Sequence, residues 1–303
     1  MIYDKMTDCF AHLNENVEYA IAHTDRPELF AKLDAIEGPT LVCGVGGSSV
    51  VAVFLAKVLR EKKHLIATFV YPRDLAYMDL QAYRNVIAVS YSGNNIGVEI
   101  LLDTDLNRYL LTGHPRDDMT SLVYRMKKEV SYVSISATIV PMSLLLLYYH
   151  DDPQLVKEIL NAEICSDSMN DRYEVMSGYE TQTAAFLLES SLIESGMASC
   201  IVHDKYNFCH GRINLSRCET ADLIFFAMEN ELDAVLRKQL PEHFRKIITI
   251  ERKYEDDVIN DYYASVISLK LIRDIALNNG KDISDMNELG DNDVFYLFKG
   301  KMK

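Results

Sequence analysis

The chain has 303 residues, of which 49% are hydrophobic and 25% are charged, and acidic residues outnumber basic ones by 45 to 31. This length allows two domains of ordinary size, and the composition is that of a globular protein. The formal net charge of −14, without a dense cluster of lysine and arginine, argues against a nucleic-acid partner.

Cysteine usage and apolar segments point to a cytosolic protein. The six cysteines are scattered, with no CxxC pair, as is usual for reduced thiols in a chain of this size. Residues 1–10 lack the basic and apolar regions of a signal peptide. The longest apolar run, residues 139–149, is too short to span a bilayer, so we predict a buried helix there and no membrane partner.

The first half alternates helices and strands. Apolar residues recur at helical spacing between Ile2 and Ile21, and a second helix is predicted over 27–36. Residues 40–63 form a strand, a glycine loop and a helix in this prediction. Further strands are predicted over 65–72, 86–93, 108–113 and 130–136. Such alternation indicates an α/β fold, in which helices cover both faces of a parallel sheet.

The second half repeats this plan. A helix over 153–164 leads to a polar stretch, 165–172, where we place the hinge. A strand over 173–178, a loop and a helix over 181–195 then open the second half. The later elements are strands over 223–228 and 246–251 and a long helix over 262–277. The two strand–glycine–helix openings predict a duplicated α/β domain, with residues 1–150 in the first copy and 151–303 in the second.

The sequence GVGGSS, residues 44–49, lies between a predicted strand and a predicted helix. Glycines let the backbone approach a ligand, and the helix N-terminus offers N–H groups to an anion. A dinucleotide site is the first alternative, but Ser49 stands where its third glycine belongs. The expected acidic residue about 20 positions further on is also missing, so we expect no nucleotide cofactor.

The sequence SYSGNN, residues 90–95, supplies a second loop of the same kind. It follows another predicted strand, at the carboxyl end where parallel sheets hold ligands. The hydroxyls of Ser90 and Ser92, the amide of Asn95 and backbone amides can hold a phosphate without a lysine or arginine. Taken alone, the loop is equally explained as a turn that caps a helix.

Together, VCGVGGSSVVAVF and VIAVSYSGNN resemble the sugar isomerase (SIS) domain family. The likeness is to two-domain phosphosugar isomerases and to the isomerase half of glucosamine-6-phosphate synthase, and it is stronger in the first half. It implies two tandem SIS domains and a sugar phosphate as ligand. The residues that it assigns to phosphate binding are Gly46, Gly47, Ser48, Ser90, Ser92, Gly93 and Asn95.

The resemblance also implies two catalytic residues in the second half. In those relatives a glutamate late in a helix moves a proton between C1 and C2, and a histidine 16 residues later helps to open the ring. Glu194 and His210 stand at that separation here. A partly buried carboxylate suits proton abstraction next to a carbonyl, and imidazole donates a proton near neutral pH.

Each residue also has an ordinary explanation. Glu194 can be a surface glutamate, with Glu174, Glu180 and Glu189 nearby, and His210 can be a structural histidine. Zinc ligation is a further alternative for the set Cys200, His203, Cys209 and His210. The last two are adjacent, which makes tetrahedral coordination awkward, so we expect no metal.

Two departures from those relatives concern lysines. Ser191 stands where the synthase has a lysine one turn before its base, and Asp291 aligns with a C-terminal sugar-contacting lysine. The spacing does not say whether Lys299 or Lys301 substitutes for it.

The resemblance implies aldose–ketose isomerisation in a cytosolic homodimer, with the histidine reaching the partner's site. The alternatives are a fructosamine-6-phosphate deglycase and a sugar-phosphate sensor without catalysis.

Overall fold

The computed structural model describes residues 2–131, 133–214 and 220–284. Most of this chain divides into two compact units, residues 8–156 (the first unit) and residues 157–284 (the second unit). Within the described ranges, none of the helices combines the length and the apolar character that a membrane span needs.

The first half of the chain alternates strands with helices. Its elements are α1 (Ile2–His23), α2 (Arg26–Asp34), β1 (Thr40–Cys43), α3 (Gly47–Lys63), β2 (Ala67–Val70), β3 (Asn85–Val89), α4 (Ile96–Leu102), β4 (Asn107–Thr112), β5 (Thr120–Val123) and α5 (Ile135–Tyr149). The predicted helix in the apolar run of residues 139–149 is confirmed, because α5 contains it and buries most of its side chains.

The sheet of the first unit has five parallel strands in the order β2-β1-β3-β4-β5. Leu41, Val86 and Leu110 face one side of it and form a buried apolar cluster with residues of α4. Helices α3 and α5 pack together, and α3 lies against β1 and β3. The strand order reverses direction between β1 and β3, which opens a crevice at the carboxyl ends of these two strands.

The predicted strand over 130–136 is wrong. The described residues of this stretch before α5, which are 130, 131, 133 and 134, belong to no strand, and helix α5 begins at Ile135. The carboxylate of Glu129 explains this: it accepts hydrogen bonds from the amides of Val130, Ser131 and Ala137 and so fixes the start of the helix. The last strand of the sheet is β5, which the apolar pattern did not predict.

The second half has the same alternation. Its elements are α6 (Pro153–Leu160), β6 (Arg172–Ser177), α7 (Gln182–Glu194), β7 (Ser199–Asp204), α8 (Lys205–Cys209), β8 (Asp222–Ala227), α9 (Glu231–Gln239), β9 (Lys246–Glu251) and α10 (Asp257–Asn278). Strand β7 was not predicted, because its sequence SCIVHD mixes polar and apolar residues without a clear alternation of period two.

The sheet of the second unit has four parallel strands in the order β7-β6-β8-β9. Met176, Leu223 and Phe225 pack on one face against Phe208 of α8 and Leu236 of α9. Helices α7 and α10 pack against each other. Right-handed crossovers place α7 on the face opposite α8, because the strand order reverses at β6. Two parallel sheets flanked by helices confirm the predicted α/β class.

Candidate functional site

Two loops meet at the crevice of the first sheet. The glycine loop (residues 44–49) follows β1, and the serine loop (residues 90–95) follows the neighbouring strand β3. A Cβ atom on Gly97, in the first turn of α4, would lie 3.2 Å from the Asn95 side-chain oxygen and 3.3 Å from the Val45 side chain, so both loops border the start of α4. The two sequences therefore form one site at the edge where parallel sheets bind ligands.

The glycine loop brings the backbone close to the start of α3. A Cβ atom on Gly44 would lie 2.4 Å from the carbonyl oxygen of Ser48, so glycine is required there. Gly46 has a positive φ of 57° and precedes the helix, where it has no side chain with which to cap the first turn. Such helix N-termini suit anions. Ser48 is half-buried at this end, whereas the buried Ser49 donates its hydroxyl hydrogen to the Gly46 carbonyl.

The serine loop is held by its own side chains. The buried hydroxyl oxygen of Ser90 accepts hydrogen bonds from the Gly93 amide, at 3.2 Å, and from the Asn95 side-chain amide, at 3.1 Å. The Asn95 side-chain oxygen accepts from the Val98 amide and caps α4. Ser92 is exposed. Ser90 and Asn95 thus shape the loop, and Ser92 is the hydroxyl that faces outward.

A glycine is also required within the serine loop. Gly93 has a positive φ of 69°, and a Cβ atom there would lie 2.9 Å from the carbonyl oxygen of His114. Arg116 donates to the Gly93 carbonyl at 3.1 Å and also binds Asp118 and Glu99. These hydrogen bonds, to Asp118 first and then to Glu99, raise the pKa of Arg116. Two carboxylates compensate the charge of Arg116. The groups that would attract an anion to this site are therefore mainly hydroxyls, amides and helix N-termini.

The sequence prediction missed a third hydroxyl-bearing segment at this site. A Cβ atom on Gly47 would lie 3.0 Å from the Thr138 hydroxyl oxygen and 3.1 Å from the Ser134 Cβ atom. Ser134 precedes α5 in a left-handed conformation with φ 55°, which is uncommon outside glycine. Strained residues of this kind concentrate at binding sites. The hydroxyl-rich sequence SISAT was the available signal, but the segment was predicted as a strand.

Glu194 and His210 lie at opposite ends of β7. Glu194 is the last residue of α7, half-buried and next to the amino end of the strand, whereas the exposed His210 follows α8 beyond the carboxyl end. The strand has six residues and spans roughly 16–20 Å. Helices α7 and α8 also lie on opposite faces of the sheet. Within one chain, the two side chains therefore do not share a site.

The other acidic residues near Glu194 have different surroundings. Burial raises the pKa of Glu189, which lies on α7. Glu174 of β6 is buried, and its Oε2 atom lies 3.2 Å from Nε2 of the buried His203. Glu180 belongs to the turn before α7.

The set that suggested zinc does not converge. Cys200 and His203 are three residues apart on β7 and so face opposite sides of the sheet. Across the described ranges, three or more His, Cys, Asp or Glu side chains nowhere come together as a metal site. Asp291, Lys299 and Lys301 lie outside the described residues.

Comparison with solved structures shows the same fold in several proteins. One is a candidate phosphosugar isomerase from Clostridium difficile 630, with a TM-score of 0.70 and 15% identity over 98% of this chain and 99% of that one. Glucosamine-6-phosphate deaminase from Thermotoga maritima gives 0.69 and 14%, over 93% of this chain and 96% of that one. Tagatose-6-phosphate ketose/aldose isomerase from Escherichia coli gives 0.68 and 13%, over 93% and 95%.

At these identities the likeness concerns the fold. In sequence comparisons, neither a protein-family model nor a curated protein matches the chain.

Proposed function

We propose that the chain binds a phosphorylated sugar at the crevice of the first sheet. The observation that carries this proposal is the meeting of the glycine loop, the serine loop and the start of α5 at one strand-order reversal. Ser48, Ser92 and Ser134 bring hydroxyls there, and α3 brings its N-terminus. This combination suits a phosphate, because oxygens of an anion accept hydrogen bonds from hydroxyls and amides.

The proposed reaction is aldose–ketose isomerisation through an enediol. Glu194 removes the proton from C1 of the open-chain ketose and returns it to C2, while a proton moves between the two oxygens. His210 donates a proton to the ring oxygen during ring opening. The half-buried position of Glu194 supports the role of base. The tagatose-6-phosphate isomerase of the same fold supports the reaction class.

We further propose a homodimer in which each site combines Glu194 of one chain with His210 of the other. The six-residue strand β7 between the two residues supports this proposal. The edge strand β7 and helix α8 also carry exposed apolar side chains: Ile201 is 53% exposed and Tyr206 is 68% exposed. A second copy of the chain that covers these side chains would also bring its own His210 to this surface.

The shared site is tested by mixing two inactive variants, Glu194→Gln and His210→Ala, after unfolding and refolding them together. Random pairing makes about half of the dimers mixed, and each mixed dimer has one complete site. We therefore expect recovery of roughly a quarter of the sites. A mixture that stays inactive, with mixed dimers confirmed by mass, would contradict the shared site.

A deglycase is the second candidate, in which the same residues release an amine from a fructosamine 6-phosphate. The deaminase with the same fold favours it. The buried Ser191 stands one turn before Glu194, where glucosamine-6-phosphate synthase has a lysine. Neither proposed reaction therefore has a lysine amine at that position. Deglycation consumes water and releases an aldose 6-phosphate together with the amine, so incubation with a ketose 6-phosphate and, separately, with a fructosamine 6-phosphate separates the candidates: only the isomerase converts the first, and only the deglycase releases an amine from the second.

A sensor would bind a sugar phosphate and convert none. A thermal-shift screen detects binding in either case, because a ligand at 100 times its Kd adds about 2.7 kcal/mol of stability. We also propose a cytosolic location, which the scattered cysteines without a CxxC pair support.

A further inference from the structure

The segment that carries His210 contacts a buried pair in the second sheet. His203 is 3% exposed and Glu174 is 9% exposed, and they lie on the neighbouring strands β7 and β6. Nε2 of His203 lies 3.2 Å from Oε2 of Glu174, without the alignment of a hydrogen bond. The other ring nitrogen, Nδ1, lies 3.5 Å from an Nη1 donor of Arg212. Arg212, His203 and Glu174 therefore form a chain from the surface into the sheet.

The backbone conformation of Gly211 allows Arg212 to contact His203 while the neighbouring His210 stays exposed. Its φ of 123° lies in the region that favours glycine, and a Cβ atom there would meet nothing within 4 Å. The backbone turns sharply at this residue, so His210 stays exposed while Arg212, two positions on, reaches back to the buried His203.

We infer that Arg212, held by His203 and Glu174, is a positioning residue that sets where His210 enters the partner's site. This inference rests on the proposed shared site. An exposed imidazole on a one-turn helix and a glycine needs a second point of attachment if it is to meet a substrate held by another chain. The contact from Arg212 to His203 supplies this attachment. Loss of the contact should lower kcat more than it changes KM, because Arg212 does not belong to the loops that we propose for phosphate binding.

The test places Arg212→Ala on one chain of the mixed dimer at a time. The Glu194→Gln chain donates His210 to the complete site, and the His210→Ala chain provides Glu194. On the donating chain, Arg212→Ala should lower the recovered kcat by about 10- to 100-fold, a loss typical of small misplacements. On the other chain it should leave the recovered activity unchanged. Arg237→Ala on the donating chain is the matched control, because Arg237 binds Glu251 on a different part of this unit.

Two further measurements separate positioning from folding. His203→Asn keeps an acceptor oxygen near Arg212 and should retain most of the activity, whereas His203→Phe should lose it. Amide hydrogen exchange over residues 206–214 should speed up in Arg212→Ala and not in Arg237→Ala. If the mixture without Arg212→Ala is inactive, the shared site is wrong and this inference falls with it. If the mixture is active and Arg212→Ala acts equally on either chain, or on neither, the inference alone is wrong.

Discussion

Ser90 is a residue of the candidate site whose side chain stabilises its own loop. Its hydroxyl oxygen accepts two hydrogen bonds from the serine loop, which leaves its hydrogen to donate. Ser48 is half-buried and Ser92 is exposed, so both hydroxyls are more accessible than that of the buried Ser90. Substitutions of the three serines should therefore differ in their effects on stability.

Ser48→Ala and Ser92→Ala should each weaken sugar-phosphate binding by about 1.5–3 kcal/mol and leave the free energy of unfolding unchanged. Ser90→Ala should weaken binding and also destabilise the fold by about 1–3 kcal/mol, because two donors lose their acceptor. Calorimetric titration and urea denaturation measure the two quantities. Ser199→Ala, an exposed serine of β7, is the control. If all four variants bound the sugar phosphate equally tightly, the proposed phosphate site in these loops would be contradicted.

Glu189 has a pKa above its ordinary value of 4.5 because it is partly buried. A carboxyl group with a raised pKa in the folded state contributes stability below pH 4.5, and this contribution is lost as the pH rises through the folded pKa. Glu189→Gln should therefore gain stability relative to the wild type as the pH rises above about 4.5. Urea denaturation between pH 4 and pH 7 checks this. A stability difference that is independent of pH would contradict the burial argument.

At the scale of elements, backbone geometry in the glycine loop fixes how α3 starts. Gly44 and Gly46 are both needed there, but for different reasons: Gly44 lacks space for a Cβ atom and Gly46 has a positive φ.

The sequence alone predicted the glycine loop, the serine loop and most strands, because these carry strong apolar and glycine signals. It missed β5, β7 and the start of α5. Tertiary pairing makes β7 a strand, and the Glu129 side chain, not the apolar pattern, decides where α5 begins.

Gly44→Ala should destabilise the first unit by about 2–3 kcal/mol or more, because the new methyl group would press on the backbone of α3. Gly46→Ala should cost about 1–2 kcal/mol, since only the left-handed conformation is strained and the space is open. Chemical denaturation of both variants measures the difference. The explanation would be contradicted if Gly46→Ala were the more damaging change.

At the scale of the whole molecule, the two units divide the proposed work. The loops that we propose for phosphate binding belong to the first unit, whereas Glu194 and His210 belong to the second unit, on segments separated by strand β7. The sequence indicated the separation of 16 residues between them, but it did not show that β7 fills this interval. The length of this strand supports our proposal that Glu194 of one chain acts together with His210 of a second chain.

Proton transfer between C1 and C2 is the central claim, and turnover of a ketose 6-phosphate in heavy water tests it most directly. The wild type should form an aldose phosphate with deuterium at C2, since the proton held by Glu194 exchanges with solvent. Glu194→Gln should bind the same sugar phosphate and turn it over roughly 10²–10⁴-fold more slowly. A wild-type protein that binds sugar phosphates, but neither converts them nor exchanges that proton, would contradict the isomerase proposal.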